Sequence, residues 1–252
     1  MKTFFYKVIP AFILFFSLPL AAASNSDERD KLFKKFRGSP VKRMENFSLD
    51  PSSSLSSRVQ VPSVLLLKGL RDFDERYDYA AYTPTAEEKK AIDKSLALLP
   101  ADTQTVLKKK LIAIYFVHNF WGGGFTDFVL DQNGELFYYI IINPGSLRMS
   151  LADWLSAKDE SNFDFDDESI RIRLEYGKKG KDQFGFTYLI FHEVAHVVDY
   201  EKGLTPFVEK DTQTLKGTTV KVTPFTQGIW NDYKVTTPGS AFPGRTNIST
   251  YG

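Results

Sequence analysis

One stretch of the chain decides both the fold and the chemistry expected of it: Phe184 to Gly203, which reads FGFTYLIFHEVAHVVDYEKG. A glycine closes this stretch where a helix C-cap is expected, and Pro206 follows soon after. Its apolar residues recur at helical spacing, which predicts a helix whose apolar face is formed by Tyr188, Phe191, Ala195 and Val198.

The predicted helix carries the sequence His192-Glu193-Val194-Ala195-His196, an HExxH pattern. Residues four apart lie on one face of a helix, so both imidazoles can bind one Zn²⁺ at about 2.0 to 2.1 Å. Glu193 lies about 100° around the helix from His192, beside the metal. We therefore expect His192 and His196 to be metal ligands, and Glu193 to be a catalytic base that accepts a proton from zinc-bound water.

A catalytic zinc site has three protein ligands as a rule, so a third is needed here. Glu201 is excluded on a continuous helix, since nine residues from His192 bring it to the opposite face. Asp199 returns to the ligand face one turn beyond His196, and we interpret it as an acceptor that orients His196. Direct ligation by Asp199 and an unrelated cap or salt bridge are the alternatives.

The acids further along the chain do not lie on any predicted helix: Glu209, Asp211 and Asp232. Residues 203–252 are rich in Thr, Gly and Pro, which is typical of loops and short strands. Either one of these three acids folds back onto the metal, or the third ligand lies beyond residue 252. We favour the second alternative, in which the domain is incomplete at its C-terminus.

The run HEVAHVVDY, residues 192–200, resembles the active-site helix of the zincin metallopeptidases. Its HExxHxxD form is similar to that of peptidase domains of the anthrax lethal factor type. The resemblance implies a gluzincin-like site, with a glutamate on a separate downstream helix as third ligand. It also implies a mixed sheet above the active-site helix.

The composition is that of an ordinary globular protein, with 252 residues, 42% hydrophobic and 25% charged. The chain has no cysteine, which excludes disulfides, thiolate metal sites and cysteine nucleophiles. Any metal must therefore be bound by nitrogen and oxygen ligands.

The N-terminus has the pattern of a secretory signal peptide. Lys2 and Lys7 precede an apolar run from Val8 to Leu20, and three alanines follow it. We expect cleavage after Ala23, with a retained membrane anchor as the alternative. Loss of the two lysines changes the formal net charge from +1 to −1, so the sequence favours neither nucleic acid nor a membrane as partner.

Residues 24–84 are interpreted as an N-terminal extension, and residues 85–252 as the catalytic domain. Thr85 and Glu88 have capping-box spacing, which predicts a helix over 86–99. Asp102 or Thr103 is expected to cap a second helix that gives way near Lys110 to a buried strand.

Asn133-Gly134 predicts a β-hairpin over 125–143. A strand is also expected at Ile170–Tyr176, and Val64–Leu67 is either a short strand or a buried turn. The fold class expected is α+β, a zincin-like mixed sheet above the HExxH helix.

Together these patterns predict an exported zinc-dependent hydrolase, secreted or periplasmic, that acts on peptide or protein substrates. The hairpin strand FVLD is expected to pair with bound peptide by edge addition. His118 is a weaker candidate for a substrate-binding group. The alternative function is an exported binding or structural protein with a vestigial or structural metal site; a further alternative places both histidines in a core with Glu193 solvated.

Overall fold

The computed structural model describes residues 39–160, 172–175, 183–202, 204 and 227. The described residues adopt an α+β fold with five α-helices and one mixed five-stranded sheet. The chain divides into two compact units. One is Ser24–Val198, which contains the sheet; the other combines Met1–Ala23 with Asp199–Gly252, of which the structure describes only residues 199–202, 204 and 227.

The sheet has the strand order β1-β3-β5-β4, and β2 also pairs with β3. Strands β1 and β5 run parallel to β3, whereas β2 is antiparallel to it and β4 is antiparallel to β5. Among the described strands, β4 has β5 as its only ladder partner, so β4 lies at the edge of the sheet. The strands are β1 (Val59–Gln60), β2 (Ala80–Tyr82), β3 (Leu111–His118), β4 (Gly124–Leu130) and β5 (Leu136–Ile142).

The described helices are α1 (Val64–Asp74), α2 (Ala86–Ala97), α3 (Ala101–Lys110), α4 (Leu151–Glu160) and α5 (Gly185–Lys202). Single 3₁₀ turns occupy Pro40–Lys42, Met44–Asn46, Leu55–Arg58 and Pro144–Leu147.

The helix predicted over 86–99 is confirmed as α2, with the predicted capping box. Thr85 Oγ1 accepts the Glu88 backbone N–H, and the Glu88 carboxylate accepts the Thr85 N–H at 2.9 Å. The helix that follows is also confirmed, but the cap predicted at Asp102 or Thr103 is wrong. The carbonyl of Pro100 accepts the Gln104 N–H at 2.9 Å, so α3 begins one residue after the proline.

The predicted hairpin is confirmed as β4 and β5, and the buried strand after Lys110 as β3. The connecting turn closes with the Gly134 N–H donating to the Asp131 carbonyl at 3.1 Å. Gly134 has a φ of 75°, a left-handed conformation that glycine adopts without steric cost.

Two predictions of local structure are wrong. Residues 64–67 form the first turn of α1, because buried leucines at 66, 67 and 70 continue the run at helical spacing. Residues 172–175 do not form a strand: the Ile172 N–H donates to the Glu160 carboxylate and the Leu174 N–H to the Ser156 hydroxyl, both on α4. The rest of 170–176 and the predicted signal peptide lie outside the described residues.

The two faces of the sheet are covered by different helices. On one face, Leu66, Leu67 and Leu70 of α1 belong to a buried cluster with residues of β3, β4 and β5. On the other face, Phe116 of β3 meets Phe186 of α5, with ring centroids 5.8 Å apart. Because residues 59–82 supply β1, α1 and β2, this part of the predicted N-terminal extension is built into the same sheet and core.

None of the helices in the described ranges has the length and low charge that crossing a bilayer requires.

Candidate active site

The HExxH residues lie on an α-helix, as predicted, and α5 spans Gly185–Lys202. The predicted apolar face is wrong, however, since Phe191 is 39% exposed and Ala195 is also exposed. The helix turns a neighbouring face to the sheet, because Phe186 is drawn against Phe116. Its buried apolar residues are Phe186, Leu189, Ile190, Val194, Val197 and Tyr200.

With this face of α5 against the sheet, His192 and His196 lie side by side on a partly buried side of the helix. Their ring centroids lie 4.9 Å apart and their planes are almost perpendicular, at 89°. Two imidazoles bound to one zinc at 2.0 to 2.1 Å in tetrahedral geometry have ring centres roughly 5 Å apart. The distance between the two rings therefore matches the separation expected for two ligands of one Zn²⁺.

The pKa of His192 is lowered by burial first and by the positive charge of Lys158 second. The lowered pKa favours the neutral imidazole, which is the form that binds metal ions.

Glu193 lies in the layer between α5 and β4 and is only 2% exposed. The alternative in which Glu193 is solvated is therefore wrong. The hydroxyl of Thr126 on β4 donates to Glu193 Oε2 at 2.7 Å and also lies 3.0 Å from the Glu193 backbone oxygen. Burial raises the pKa of Glu193 to about 7, against the opposing effect of the Thr126 hydrogen bond. A divalent cation held nearby would lower that pKa again.

Gly124, the first residue of β4, makes room for this carboxylate. A Cβ atom at position 124 would lie 2.7 Å from Glu193 Oε1 and 3.0 Å from Cδ. Distances below 3.0 Å are steric clashes, so a larger residue at 124 would displace the Glu193 side chain. The strand β4 thus begins with a glycine at the point where the Glu193 side chain packs against it.

A second group of side chains extends the site toward α4. Tyr188, one turn before His192, stacks on its imidazole with centroids 6.0 Å apart and planes at 21°. Tyr188 also contacts α4, where Lys158 Nζ lies 6.0 Å from the centre of the Tyr188 ring. Trp154 is on the same helix, and its Cζ2 would lie 3.0 Å from a Cβ at Gly123.

The sequence analysis missed four of these residues: Gly124, Thr126, Trp154 and Lys158. For α4 a signal was present, because Ser150 and Asp153 have N-cap spacing and the Ser150 Oγ accepts the Asp153 N–H at 3.1 Å. For Gly124 and Thr126 no local signal exists, because their role depends on the packing of α5 against β4.

The third metal ligand is not found in the described part of the chain, where no group of three or more His, Asp and Glu side chains could hold a metal ion. The candidates Glu209, Asp211 and Asp232 lie outside the described residues. Asp199 begins the second unit, and its predicted role in orienting His196 stays a prediction.

His118, the remaining histidine, ends β3 and is exposed. Its ring meets the Tyr82 ring edge-on with centroids 4.7 Å apart. His118 therefore packs where β2 pairs with β3, opposite Ala80, and its predicted role in substrate binding stays a prediction.

No protein-family model, curated protein or solved structure matches this chain.

Proposed function

We propose that this chain is an exported zinc-dependent metallopeptidase of the zincin type. One observation carries the proposal: two imidazoles on adjacent turns of α5, 4.9 Å apart and perpendicular, next to a glutamate fixed against the edge of a sheet. A hydrolytic metal site needs two imidazole ligands and a nearby carboxylate base, whereas a solvated helix face does not need these three groups together.

Each residue has a defined task in the proposed reaction. His192 and His196 would hold the zinc ion, which when bound polarises the substrate carbonyl and increases the acidity of water. Glu193 accepts a proton from the attacking water and later delivers it to the amine released when the C–N bond breaks. Thr126 and Gly124 fix the direction of the Glu193 carboxylate.

The position of β4 favours a peptide as substrate. Glu193 lies against Gly124 and Thr126, and among the described strands β4 has no ladder partner on its outer side, so this edge runs past the proposed catalytic carboxylate. An extended peptide can pair with such an edge through main-chain hydrogen bonds. At the far end of the strand, Leu130 forms a bridge with Arg43, which limits the free edge to the part closest to Glu193.

The experiment that tests this function is cleavage of a diverse peptide library by the full-length, metal-loaded protein. We expect the wild type to cleave, a chelator to stop cleavage and zinc to restore it. Glu193→Gln keeps the size of the side chain and removes the base, so turnover should fall by about 10² to 10⁴ at unchanged metal content. Glu87→Gln, an exposed glutamate on α2, is the matched control.

Two results would overturn the proposal. Undiminished turnover by the metal-loaded Glu193→Gln variant would remove Glu193 from the mechanism. A wild-type protein that binds metal but cleaves no peptide in the library would favour the alternative of a binding or structural protein.

Export is a separate part of the proposal and rests on the pattern of residues 1–23. N-terminal sequencing of the protein recovered from its native host should find Ser24 as the first residue. An N-terminus at Met1 would show that the segment is retained.

A further inference from the structure

The hydrogen bonds between β4 and β5 show which backbone groups of β4 face outward. The Gly123 carbonyl accepts the Asn143 N–H at 2.9 Å, and the Asp131 N–H donates to the Glu135 carbonyl at 3.0 Å, so both residues direct these groups toward β5. Backbone groups alternate between the two sides of a strand, so the even-numbered residues of β4 direct theirs to the outer edge. The outward row consists of Gly124, Thr126, Phe128 and Leu130.

The second half of this outward row is occupied. The Phe128 N–H donates to the carboxylate of its neighbour Asp127 at 2.8 Å. Leu130 forms a parallel bridge with Arg43, which comes from the N-terminal part of the described chain. A peptide therefore cannot pair with this half of the edge while these contacts are in place.

The first half of the row has no such contact. Within the described ranges, Gly124 and Thr126 have no ladder partner on the outer side of β4. Glu193 packs against these same two residues. The open part of the edge therefore coincides with the position of the proposed base.

Residues 40–47, here called the N-terminal strap, close the second half of the edge. Lys42 of the strap forms an ion pair with Asp127 in which the side chains are only 15% and 14% exposed. Its Nζ lies 4.5 Å from the centre of the Phe128 ring. The hydroxyl of Tyr139 on β5 donates to the same Asp127 carboxylate at 2.6 Å. Because removing one partner of a shielded ion pair is costly, the strap is held firmly at this point.

The strap is also held at both of its ends. Near its start, Val41 packs against α1, where a Cβ at Gly69 would lie 3.1 Å from Val41 Cγ1. At its end, the Phe47 ring stacks on Tyr139 with centroids 6.0 Å apart and planes at 18°. With contacts to α1, β4 and β5, the strap has a defined position at the edge of the sheet.

An extended peptide that pairs with the open half of β4 runs toward the strap. A strand rises about 3.3 to 3.4 Å per residue, so about 13 Å, or four residues, separates Thr126 from Leu130 and the Arg43 bridge. Antiparallel pairing is the more stable arrangement. It directs the N-terminal side of the peptide toward Leu130, because β4 itself runs from Gly124 to Leu130.

We propose that the N-terminal strap selects substrates by length and restricts cleavage to bonds no more than about four residues from the N-terminus of a peptide. A longer N-terminal side would have to displace the strap from Asp127 and Leu130. The substrate class is therefore peptides that are shortened from their N-terminal end. This inference rests on the proposed peptidase function and assigns a substrate class to it.

The test measures how cleavage depends on peptide length on each side of one bond. Two ladders are built from a peptide that the wild type cleaves: the N-terminal side grows to about eight residues in the first, and the C-terminal side does so in the second. Every peptide is N-acetylated, so that only length varies. We expect kcat/KM to fall about tenfold or more once the N-terminal side exceeds about four residues, with no such fall along the second ladder.

Variants of the ion pair assign the length limit to the strap. Lys42→Met and Asp127→Asn each weaken the contact that holds the strap, and each should reduce the tenfold fall to about threefold or less. The double variant should add little, because both substitutions remove the same contact. Lys68→Met, which removes an exposed lysine on α1, is the control and should keep the limit. Thermal melting and cleavage of the shortest peptide confirm that each variant is folded with an intact site.

The outcomes separate this inference from the function on which it rests. A wild type that cleaves long N-terminal extensions as fast as short ones, or that shows a limit only along the C-terminal ladder, overturns the length selection and leaves the peptidase function in place. A limit that persists in full in both Lys42→Met and Asp127→Asn overturns the assignment to the strap. A metal-loaded wild type that cleaves no peptide overturns the proposed function together with this inference.

Discussion

Thr126 of β4 and Glu193 of α5 are joined by two contacts, with the threonine hydroxyl 2.7 Å from the glutamate Oε2 and 3.0 Å from its backbone oxygen. A hydroxyl has a single proton, so the two oxygens share one donor while the carboxylate is ionised. The contacts fix both the helix backbone and the carboxylate at the same point of the sheet. The position of the proposed base is thus set by the edge strand as well as by its own helix.

The first prediction concerns Thr126→Val, which keeps the shape of the side chain and removes the hydroxyl. A buried carboxylate then loses the donor that the structure shows for it, and we expect the free energy of unfolding to fall by about 1 to 3 kcal/mol. Urea denaturation at neutral pH measures this change. Thr126→Ser retains the hydroxyl and should lose clearly less; equal losses in the two variants would show that the hydrogen bond is unimportant.

The second prediction concerns the glycine beneath the carboxylate. Gly124→Ala places a Cβ 2.7 Å from Glu193 Oε1, so the side chain must move. Peptide turnover should then fall about tenfold or more at unchanged zinc content, because the base is displaced while both imidazoles stay in place.

Gly122→Ala is the control for that experiment, because its Cβ would make only ordinary contacts at 3.6 Å and 3.8 Å. We expect Gly122→Ala to retain the turnover of the wild type. Loss of turnover to the same extent in both variants would indicate a general effect on the loop, not displacement of Glu193.

The third prediction uses the capping box of α2 and its dependence on pH. Burial alone would raise the pKa of Glu88, but hydrogen bonds from Tyr82, Thr85 and Arg148 outweigh it and lower the pKa below 4.5. Because the folded pKa is the lower one, the carboxylate stabilises the fold fully above about pH 4.5, and this contribution is lost as the pH falls through the folded value.

Glu88→Gln should therefore be less stable than wild type by about 1 kcal/mol at neutral pH, and the difference should shrink in acid. Urea midpoints measured from neutral pH to about pH 3 test this. Glu87→Gln, on the exposed side of the same turn, should lose clearly less stability than Glu88→Gln at neutral pH. A constant difference between Glu88→Gln and wild type across the range would contradict the assignment.

The elements that could be predicted from the sequence are those specified by local chemistry. The capping box at Thr85 and the Asn133-Gly134 turn each depend on residues within a few positions of one another, and both were confirmed. The helix at Val64 was missed because four apolar residues carry no period, whereas its cap at Ser63, which accepts the Leu66 N–H at 3.1 Å, lies just outside that window.

The candidate site shows the same division. The facing imidazoles follow from helical spacing alone, so His192 and His196 could be paired from the sequence. The side of α5 that faces the sheet could not be predicted from the sequence. It depends on the packing of Phe186 against Phe116, which lies in a distant part of the chain. The same packing decides that Glu193 meets Thr126, 67 residues away, and that Lys158 lies next to Tyr188.

The central claim, that His192 and His196 share one metal ion, is tested most directly by elemental analysis of the purified full-length protein after dialysis against micromolar zinc. The account predicts about one zinc per chain in the wild type and in His118→Ala, and a loss of bound zinc in His192→Ala and in His196→Ala. A wild type without bound zinc, or the same zinc content in His192→Ala, His196→Ala and wild type, would contradict it.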